Sequence, residues 1–389
     1  MNMGFRFFST RQGMLTAVGI GMLMRLTLSL TTWGTVDVLS WERFLNAILT
    51  DGWLGIYAKV GDYNHPPLMS LMLLGIHQLL PFSPNGFAFL LRLPAILSDA
   101  GTLWVLHQLI SRYWNVTKAR YVVSLVALSP VLILVSGFHG NTDPVFMFLV
   151  LLAARQLLFS KAHFQVGLIL GLATSIKLVP VVVMPLFFFG SFSLNSKTKL
   201  TLGFLTTVAL GWAYPVWTHF DSINPNVFQY SSRPGIWGLS QLLSPISLWS
   251  PTLTSISKLL LFLVISASSA WIIFFSLGRD KEEFPRRFLF GLGVVFLQFM
   301  VITPGFGVQY LAWLAPTIVF FGLRYSVIFN LLGGIFLFSV YNNWADGLPW
   351  HIAYPVLWNP WEWFLALVLW LVLVKWLARL FKTEFNRVS

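Results

Sequence analysis

Residues 35–68, TVDVLSWERFLNAILTDGWLGIYAKVGDYNHPPL, form the first long polar passage of the chain and follow an apolar N-terminal segment. The passage ends in the stiff turn Tyr63-Asn64-His65-Pro66-Pro67, in which two prolines fix φ, hold His65 extended and start the next helix. We interpret residues 34–89 as the first extracytoplasmic loop of a polytopic membrane protein whose helices surround that loop. Four of the thirteen acidic residues lie within it: Asp37, Glu42, Asp51 and Asp62.

The composition is that of a membrane protein. Hydrophobic residues make up 57% of the 389 residues, charged residues 10%, and the mean hydropathy is +0.75. A soluble domain carries about 25% charged residues, so lipid is the solvent for much of this chain. The absence of cysteine excludes disulfides, thiolate catalysis and cysteine-bound zinc. The net charge of +12 comes from basic residues scattered singly between apolar runs, so we expect a bilayer and no nucleic acid as partner.

The hydropathy pattern predicts an all-α protein with about twelve transmembrane helices. A span needs about 20 apolar residues. Residues 68–81 are also apolar but would reach only about 21 Å, so we expect an interfacial or re-entrant helix there. We expect one membrane domain, 1–389, with a second large outer loop at 218–254. The predicted spans are 13–33, 90–111, 120–137, 144–159, 164–176, 178–191, 199–217, 255–278, 286–303, 308–322, 325–341 and 360–380.

The charge pattern fixes the predicted orientation, with both termini in the cytoplasm. Cytoplasmic loops are enriched in Lys and Arg, and counting 68–81 as a span would place most of these cations outside. The inner cations are then Arg6, Arg11, Arg112, Lys118, Arg120, Lys161, Lys197, Lys199, Arg279, Lys281, Arg286, Arg287, Arg324, Arg379, Lys382 and Arg387. The same orientation places most acids outside, where their clustering indicates function.

Asp37, just beyond the first span, is the leading catalytic candidate. An interfacial carboxylate that caps the next helix is the competing interpretation. A catalytic role is favoured by the neighbouring Asp62, Tyr63 and His65. We expect the turn that ends in two prolines to aim these side chains back toward Asp37. No nucleotide-binding or metalloprotease motif appears in a usable context.

Two further outer segments carry polar groups. His139, Asn141 and Asp143 precede Pro144, which is a standard helix start and also a natural phosphate seat. Lys177 interrupts a long apolar run beside Pro180, and an ammonium facing the protein interior there suggests an anionic ligand such as phosphate. Snorkelling of Lys177 to the interface is the alternative.

The remaining candidates lie later in the chain or inside spans. Arg233 is a rare outer cation suited to bidentate phosphate binding, or to pairing with an outer carboxylate. Gln309, Tyr310 and Trp313 share a helical face that could contact a sugar or a lipid phosphate, or belong to an aromatic belt. Within the spans, Asp99 could pair with Arg92 or with Arg25.

The pattern resembles the GT-C glycosyltransferases over residues 10–320. Residues 62–68, Asp-Tyr-Asn-His-Pro-Pro-Leu, look like the Pro-Pro-Leu motif of dolichyl-phosphate-glucose transferases, protein mannosyltransferases and aminoarabinose transferases, and residues 91–94 look like the Arg-Leu-Pro of the last group. The resemblance implies a catalytic role for Asp37, the second acidic position for Asp143 and carrier-phosphate binding for Lys177. Asp37 stands alone where some members have paired acids, which leaves open a divalent metal held by Asp37 and Asp143; no other cofactor is expected.

We therefore expect an inverting glycosyltransferase of glycan biosynthesis, of the mannosyl- or glucosyltransferase type. It would move a sugar from a polyprenyl-phosphate or dolichyl-phosphate donor to a glycan or glycolipid acceptor on the extracytoplasmic or luminal face. Arg233 would join Lys177 at the donor phosphate, and the other candidates would orient sugar or acceptor. A bacterial inner membrane or the endoplasmic reticulum fits this activity. A transporter or flippase for an anionic lipid or sugar, and a scaffold subunit, are the alternatives.

Overall fold

The computed structural model describes residues 7–82, 86–230, 232–246, 250–277 and 283–386. Four of the predicted inner cations, Arg6, Arg279, Lys281 and Arg387, lie outside these ranges. The described chain is almost entirely helical, which confirms the predicted all-α class. In chain order its elements are α1 Arg11–Thr31, β1 Gly34–Thr35, α2 Val36–Asp51, α3 Ile56–Lys59, α4 Pro67–Leu79, α5 Gly86–Tyr113, α6 Val116–Ala127, α7 Pro130–Leu134, α8 Asp143–Ser160, α9 His163–Ile176, α10 Met184–Gly190, α11 Leu194–Ile223, α12 Gly238–Leu243, α13 Pro251–Leu277, α14 Phe284–Ile302, α15 Leu311–Leu314, α16 Leu323–Trp344, β2 Ile352–Ala353 and α17 Pro360–Asn386.

The helices group into two compact units, a division that the sequence pattern did not indicate. The first contains Met1–Val181, Ser193–Tyr230 and Tyr341–Val356. The second contains Val182–Phe192, Ser231–Val340 and Leu357–Ser389. Because the first unit draws on three separate segments, it brings together residues that are far apart in the chain.

Eight helices in the described part of the chain are long and apolar enough to cross a membrane: α1, α5, α8, α11, α13, α14, α16 and α17. A ninth candidate is the pair Val116–Ala127 and Pro130–His139, which bends by 43° where Pro130 interrupts the predicted span 120–137. The protein is therefore a multi-pass membrane protein. Spans 164–176 and 178–191 correspond to the shorter apolar helices His163–Ile176 and Val179–Gly190.

The predicted span 308–322 is not one continuous helix. It consists of the 3₁₀ turn Val308–Tyr310, the four-residue α15 and the 3₁₀ turn Ile318–Phe321. Most of its side chains are buried. Hydropathy measures how apolar a segment is and cannot distinguish a lipid-facing helix from an irregular segment enclosed by protein.

Contacts within the first unit indicate whether α4 crosses the membrane. His139 lies 3.1 Å from Asp37, so both residues are at the same end of the helices that separate them. Apart from α2 and α3, which are not candidate spans, those helices are α4, α5 and the bent pair of α6 and α7. Two crossings return the chain to the same side and three do not, so this contact favours an α4 that does not cross. Lys177 and Asp143 are also in contact, at 2.8 Å, so the chain that runs away from this end through α8 returns to it through α9, although α9 has only 14 residues.

Two buried arginines connect helices within the first unit. Arg25 donates from Nε to Asp99 at 2.7 Å and from Nη1 to the carbonyl of Ala127, so Arg25 is the ion-pair partner of Asp99. Arg92 instead donates to backbone carbonyls, among them Thr32 at 2.5 Å and Gly137 at 3.0 Å. It therefore saturates exposed carbonyls at the end of α1 and joins that end to the turn beside the polar site.

Glycines allow α9 and α11 to pack at backbone distance. A Cβ added to Gly167 would lie 2.1 Å from the carbonyl oxygen of Leu200, and one added to Gly203 would lie 2.1 Å from that of Phe164. Gly167 and Gly171 form a Gly-x-x-x-Gly motif, which membrane helices use for close approach. This contact fixes α9, whose C-terminal cap is Lys177.

Candidate active site

The position of Asp37 is set by the turn that joins α1 to α2. The short strand Gly34–Thr35 pairs in parallel with Ile352–Ala353. Thr35 is the N-cap of α2, and its hydroxyl accepts from the Asp37 amide at 3.4 Å and donates to the His139 carbonyl at 2.7 Å. One hydroxyl thus fixes the start of α2 and its distance from the chain at His139.

The segment that faces Asp37 begins with a π turn, Val135–His139, which Gly140 ends in the left-handed conformation at φ +83°. A Cβ at Gly140 would lie 2.4 Å from Cγ2 of Val38. Both the dihedral angle and the close approach therefore require glycine. The resulting bend directs His139 and Asn141 to the same carboxylate, and π turns of this kind are frequent at functional sites.

Both side chains bind the same oxygen of Asp37. His139 Nε2 and Asn141 Nδ2 each lie 3.1 Å from Oδ2. Within the described chain, Oδ1 accepts no hydrogen bond, and the Asp37 side chain is 36% exposed whereas His139 is 3% exposed. One carboxylate oxygen is therefore held by the protein while the other is accessible.

The electrostatic surroundings of Asp37 favour its ionised form. Burial raises the pKa of Asp37, whereas the electrostatic interaction with His139 and the hydrogen bonds from His139 and Asn141 lower it, and the net result is a pKa below the usual value. Asp37 is thus a carboxylate at neutral pH and is able to accept a proton.

Tyr341, at the end of α16, is part of this site and was not predicted from the sequence. Its hydroxyl lies 2.9 Å from His139 Nδ1, and its buried ring packs against Phe138 and Trp350. Tyr341 and His139 are separated by 202 positions. A tyrosine at the end of an apolar helix also looks like a member of an aromatic belt, so the sequence carried no signal that would have set it apart.

Asp143 and Lys177 form the second polar group. Lys177 Nζ donates to Asp143 Oδ1 at 2.8 Å, where the Asp143 side chain is fully buried and that of Lys177 is 17% exposed. Asp143 is in the first turn of α8, where a carboxylate also interacts favourably with the helix dipole. The helix start predicted beside Pro144 is confirmed: α8 begins at Asp143, and Thr142 is the N-cap residue.

His65 lies near both groups. Its ring stacks on Trp41 with centroids 4.1 Å apart. Burial and the charge of Lys177 lower the pKa of His65 to about 3, although Asp37 and Asp62 act in the opposite direction. His65 is therefore neutral at physiological pH and supplies a hydrogen-bonding imidazole beside the two charged pairs.

The expectation that Asp62 and Tyr63 are aimed at Asp37 is wrong. Asp62 is exposed and pairs with Arg43 at 2.5 Å, since a long basic side chain from α2 reaches it first. Tyr63 is buried, and its hydroxyl is 2.8 Å from that of Ser70. Both residues instead brace the turn before α4, which begins at Pro67 as predicted.

The later candidates belong to the second unit. Arg233 is exposed, and its carbonyl accepts from the Phe306 amide at 3.2 Å. Gln309 is half-buried. Their predicted roles in phosphate and substrate binding stay predictions.

Trp313 and Tyr310 do not present a platform for a sugar. Trp313 is fully buried and Tyr310 is 7% exposed. Their rings stack on each other at 3.9 Å, and Phe299 packs edge-on against Trp313 at 5.0 Å. The aromatic spacing that suggested a binding face therefore builds a packed core in the second unit.

The sequence left open a divalent metal held by Asp37 and Asp143. In the part of the chain that the structure describes, no three His, Asp or Glu side chains lie close enough together to hold a metal ion. Asp37 and Asp143 are each bonded to protein groups, Asp37 to His139 and Asn141, and Asp143 to Lys177.

The helical fold and a carboxylate held in its ionised form at the helix ends define a polytopic membrane protein with an enzyme-like site. The profile of glycosyltransferase family 87 matches residues 63–304, more than half of the 389 residues. The chain therefore belongs to glycosyltransferase family 87 and is a membrane glycosyltransferase. A search of curated proteins gives no match. Family membership favours the enzyme over the transporter and the scaffold subunit.

Proposed function

We propose that this glycosyltransferase moves a sugar from a polyprenyl-phosphate donor to a hydroxyl of a glycan or glycolipid acceptor, with Asp37 as the general base. The observation that carries the proposal is that the two oxygens of the Asp37 carboxylate have different surroundings. Oδ2 is held by His139 and Asn141, while Oδ1 is accessible on a side chain whose pKa is lowered.

In the proposed reaction the acceptor hydroxyl gives its proton to Asp37 Oδ1 and its oxygen bonds to the anomeric carbon. The bond from that carbon to the phosphate oxygen breaks, and the electron pair leaves with the phosphate. Attack from the side opposite to the leaving group inverts the anomeric configuration. The proton released by the acceptor is the one that Asp37 gains, so the step is balanced.

Lys177 is proposed to stabilise the phosphate that leaves. Its ammonium is partly exposed and is held by Asp143 at the N-terminal turn of α8. The lysine provides a cation and the helix N-terminus provides backbone N–H groups, and the two together suit a phosphate. Asp143 then has a positioning role, because it fixes the lysine that meets the donor.

The class of donor follows from the side of the membrane. In the orientation that the positive-inside pattern favours, Asp37 in α2, Lys177 at the end of α9 and Tyr341 in α16 are on the outer side. Nucleotide sugars are made in the cytoplasm, so a lipid carrier that has crossed the bilayer fits this side better. We propose that the donor carries mannose or glucose. The membrane is a bacterial inner membrane or the endoplasmic reticulum, and both termini of the chain are cytoplasmic.

The test is transfer of labelled sugar by the purified full-length protein, with synthetic polyprenyl-phosphate mannose or glucose as donor and membrane glycolipid extract as acceptor. We expect product from a polyprenyl-phosphate donor and none from the matching nucleotide sugar. Asp37→Asn should lower the rate about 10²–10⁴-fold, the usual worth of a general base. Asp51→Asn, an exposed acid at the other end of α2, is the matched control and should keep the wild-type rate. Transfer from nucleotide sugars alone, or full activity in Asp37→Asn, would refute the proposal.

A further inference from the structure

Tyr341 adds a third member to the chain of hydrogen bonds that ends on Asp37. Its hydroxyl lies 2.9 Å from His139 Nδ1, and Nε2 of the same ring lies 3.1 Å from Asp37 Oδ2. Tyr341 is fully buried and His139 is 3% exposed, so solvent has little access to either ring nitrogen. Both Asp37 and Tyr341 lie outside residues 63–304, the part that matches the family.

The hydrogen-bonding roles follow from the ionisation of Asp37. A carboxylate only accepts hydrogen bonds, so His139 Nε2 must carry the proton in that contact. In a neutral imidazole Nδ1 then has no proton and accepts from the tyrosine hydroxyl. Tyr341 therefore selects the tautomer that donates to Asp37. When the ring is protonated on both nitrogens, the same hydroxyl accepts from Nδ1 and still holds the ring in place.

Without the Tyr341 hydroxyl, a buried nitrogen would be left without its partner, which is costly. In the alternative tautomer the proton is on Nδ1, where it would have lost its partner as well. The lone pair of Nε2 would then face the Asp37 carboxylate, and the two would repel each other. Either outcome weakens the restraint on Oδ2, which is then held by Asn141 alone.

We infer that Tyr341 is a positioning residue for sugar transfer, which it serves by fixing His139 so that Asp37 presents Oδ1 to the acceptor hydroxyl. This inference rests on the proposed role of Asp37 as general base. Tyr341 itself contacts no reacting atom, because its hydroxyl is engaged with His139 and its ring is enclosed by Phe138 and Trp350.

The variant Tyr341→Phe keeps the ring and removes only the hydroxyl. We expect kcat to fall about tenfold, which is the size of effect expected from losing one buried hydrogen bond, with little change in KM for donor or acceptor. Tyr113→Phe is the matched control, since it also removes a single tyrosine hydroxyl, one that donates to the Leu158 carbonyl at 3.0 Å, away from the site. It should keep the wild-type kcat.

A double variant separates positioning from general structural support. If Tyr341 acts through His139, Tyr341→Phe should cause no further loss of kcat in a His139→Gln background. Thermal unfolding of each purified variant checks that the fold is retained. An unchanged kcat in Tyr341→Phe, or a loss that multiplies with that of His139→Gln, would overturn the inference.

The series also includes Asp37→Asn, measured with the donor that the wild-type protein uses. An active Asp37→Asn variant would defeat the proposed role of Asp37. An inactive Asp37→Asn variant together with a fully active Tyr341→Phe variant would defeat the inference on Tyr341 alone.

Discussion

At the scale of single residues, the pKa of Asp37 results from opposing effects of its surroundings. Burial raises its pKa, while His139 and Asn141 lower it, and the net effect is a pKa below the usual value. A carboxylate whose pKa is lowered stays ionised as the pH falls to its ordinary titration range, and loses its charge only below that range. The activity of the wild-type protein should therefore show no acid limb due to Asp37 between neutral pH and about pH 4.

The variant His139→Gln should change this pH dependence. It removes the side chain whose interactions with Asp37 contribute most to lowering the pKa. Burial then dominates, the pKa of Asp37 rises, and an acid limb of kcat/KM should appear above about pH 4. The measurement is kcat/KM against pH for the wild type, for His139→Gln and for His163→Gln. The last variant is a control, since His163 is at the N-terminal end of α9 and Lys177 is at the other end. A His139→Gln profile that matches the wild type would show that His139 does not control Asp37.

The residues that the sequence identified are those whose type is unusual for their place. A lone acid after the first span, a lysine in an apolar run and a histidine beside a helix start all stand out, and the structure brings Asp37, His139 and Lys177 into one unit. The direction of a side chain is a different matter. Asp62 turns to Arg43 and Tyr63 to Ser70, since contacts made nearby compete with the expected one.

At the scale of elements, the site depends on how closely the helices behind it pack. Lys177 is the C-terminal cap of α9, and α9 is held against α11 by glycines that leave no space for a Cβ. Apolar periodicity predicted α9 and the start of α11 but gave no information on which helices pair. That information was present in the Gly-x-x-x-Gly spacing of Gly167 and Gly171, which only a partner helix explains.

Replacing one of these glycines should loosen the unit. In Gly203→Ala the new Cβ would lie 2.1 Å from the carbonyl oxygen of Phe164, so α9 and α11 must separate. Overpacking of this kind costs about 1–3 kcal/mol, and we expect a lower midpoint of thermal unfolding together with a lower transfer rate. Gly19→Ala, in α1 with no atom within 4 Å of the new Cβ, is the control. Equal unfolding midpoints for the two variants would contradict this account of the helix contact.

At the scale of the whole molecule, composition alone was sufficient for the class of fold. The multi-pass all-α architecture follows from how apolar the chain is, and eight long helices in the described residues confirm it. Continuity of the helices is less predictable. The segment 308–322 is as apolar as a span but is broken into short turns, and span 120–137 bends at Pro130, because packing inside the protein decides where a helix may be interrupted.

The number of crossings before His139 is the feature of the topology that can be tested most directly. If α4 stays on one side, its two flanks, Gly61 and Phe82, face the same compartment, and Thr117, in the first turn of α6, faces the other. All three positions are exposed, and the chain has no cysteine, so single substitutions Gly61→Cys, Phe82→Cys and Thr117→Cys give a clean background. A membrane-impermeant maleimide added outside intact cells should label positions 61 and 82 and leave 117 unlabelled until the membrane is opened. Labelling of 61 without 82 would make α4 a true span, and the contact between Asp37 and His139 could then not form with α5 and the α6–α7 pair both crossing.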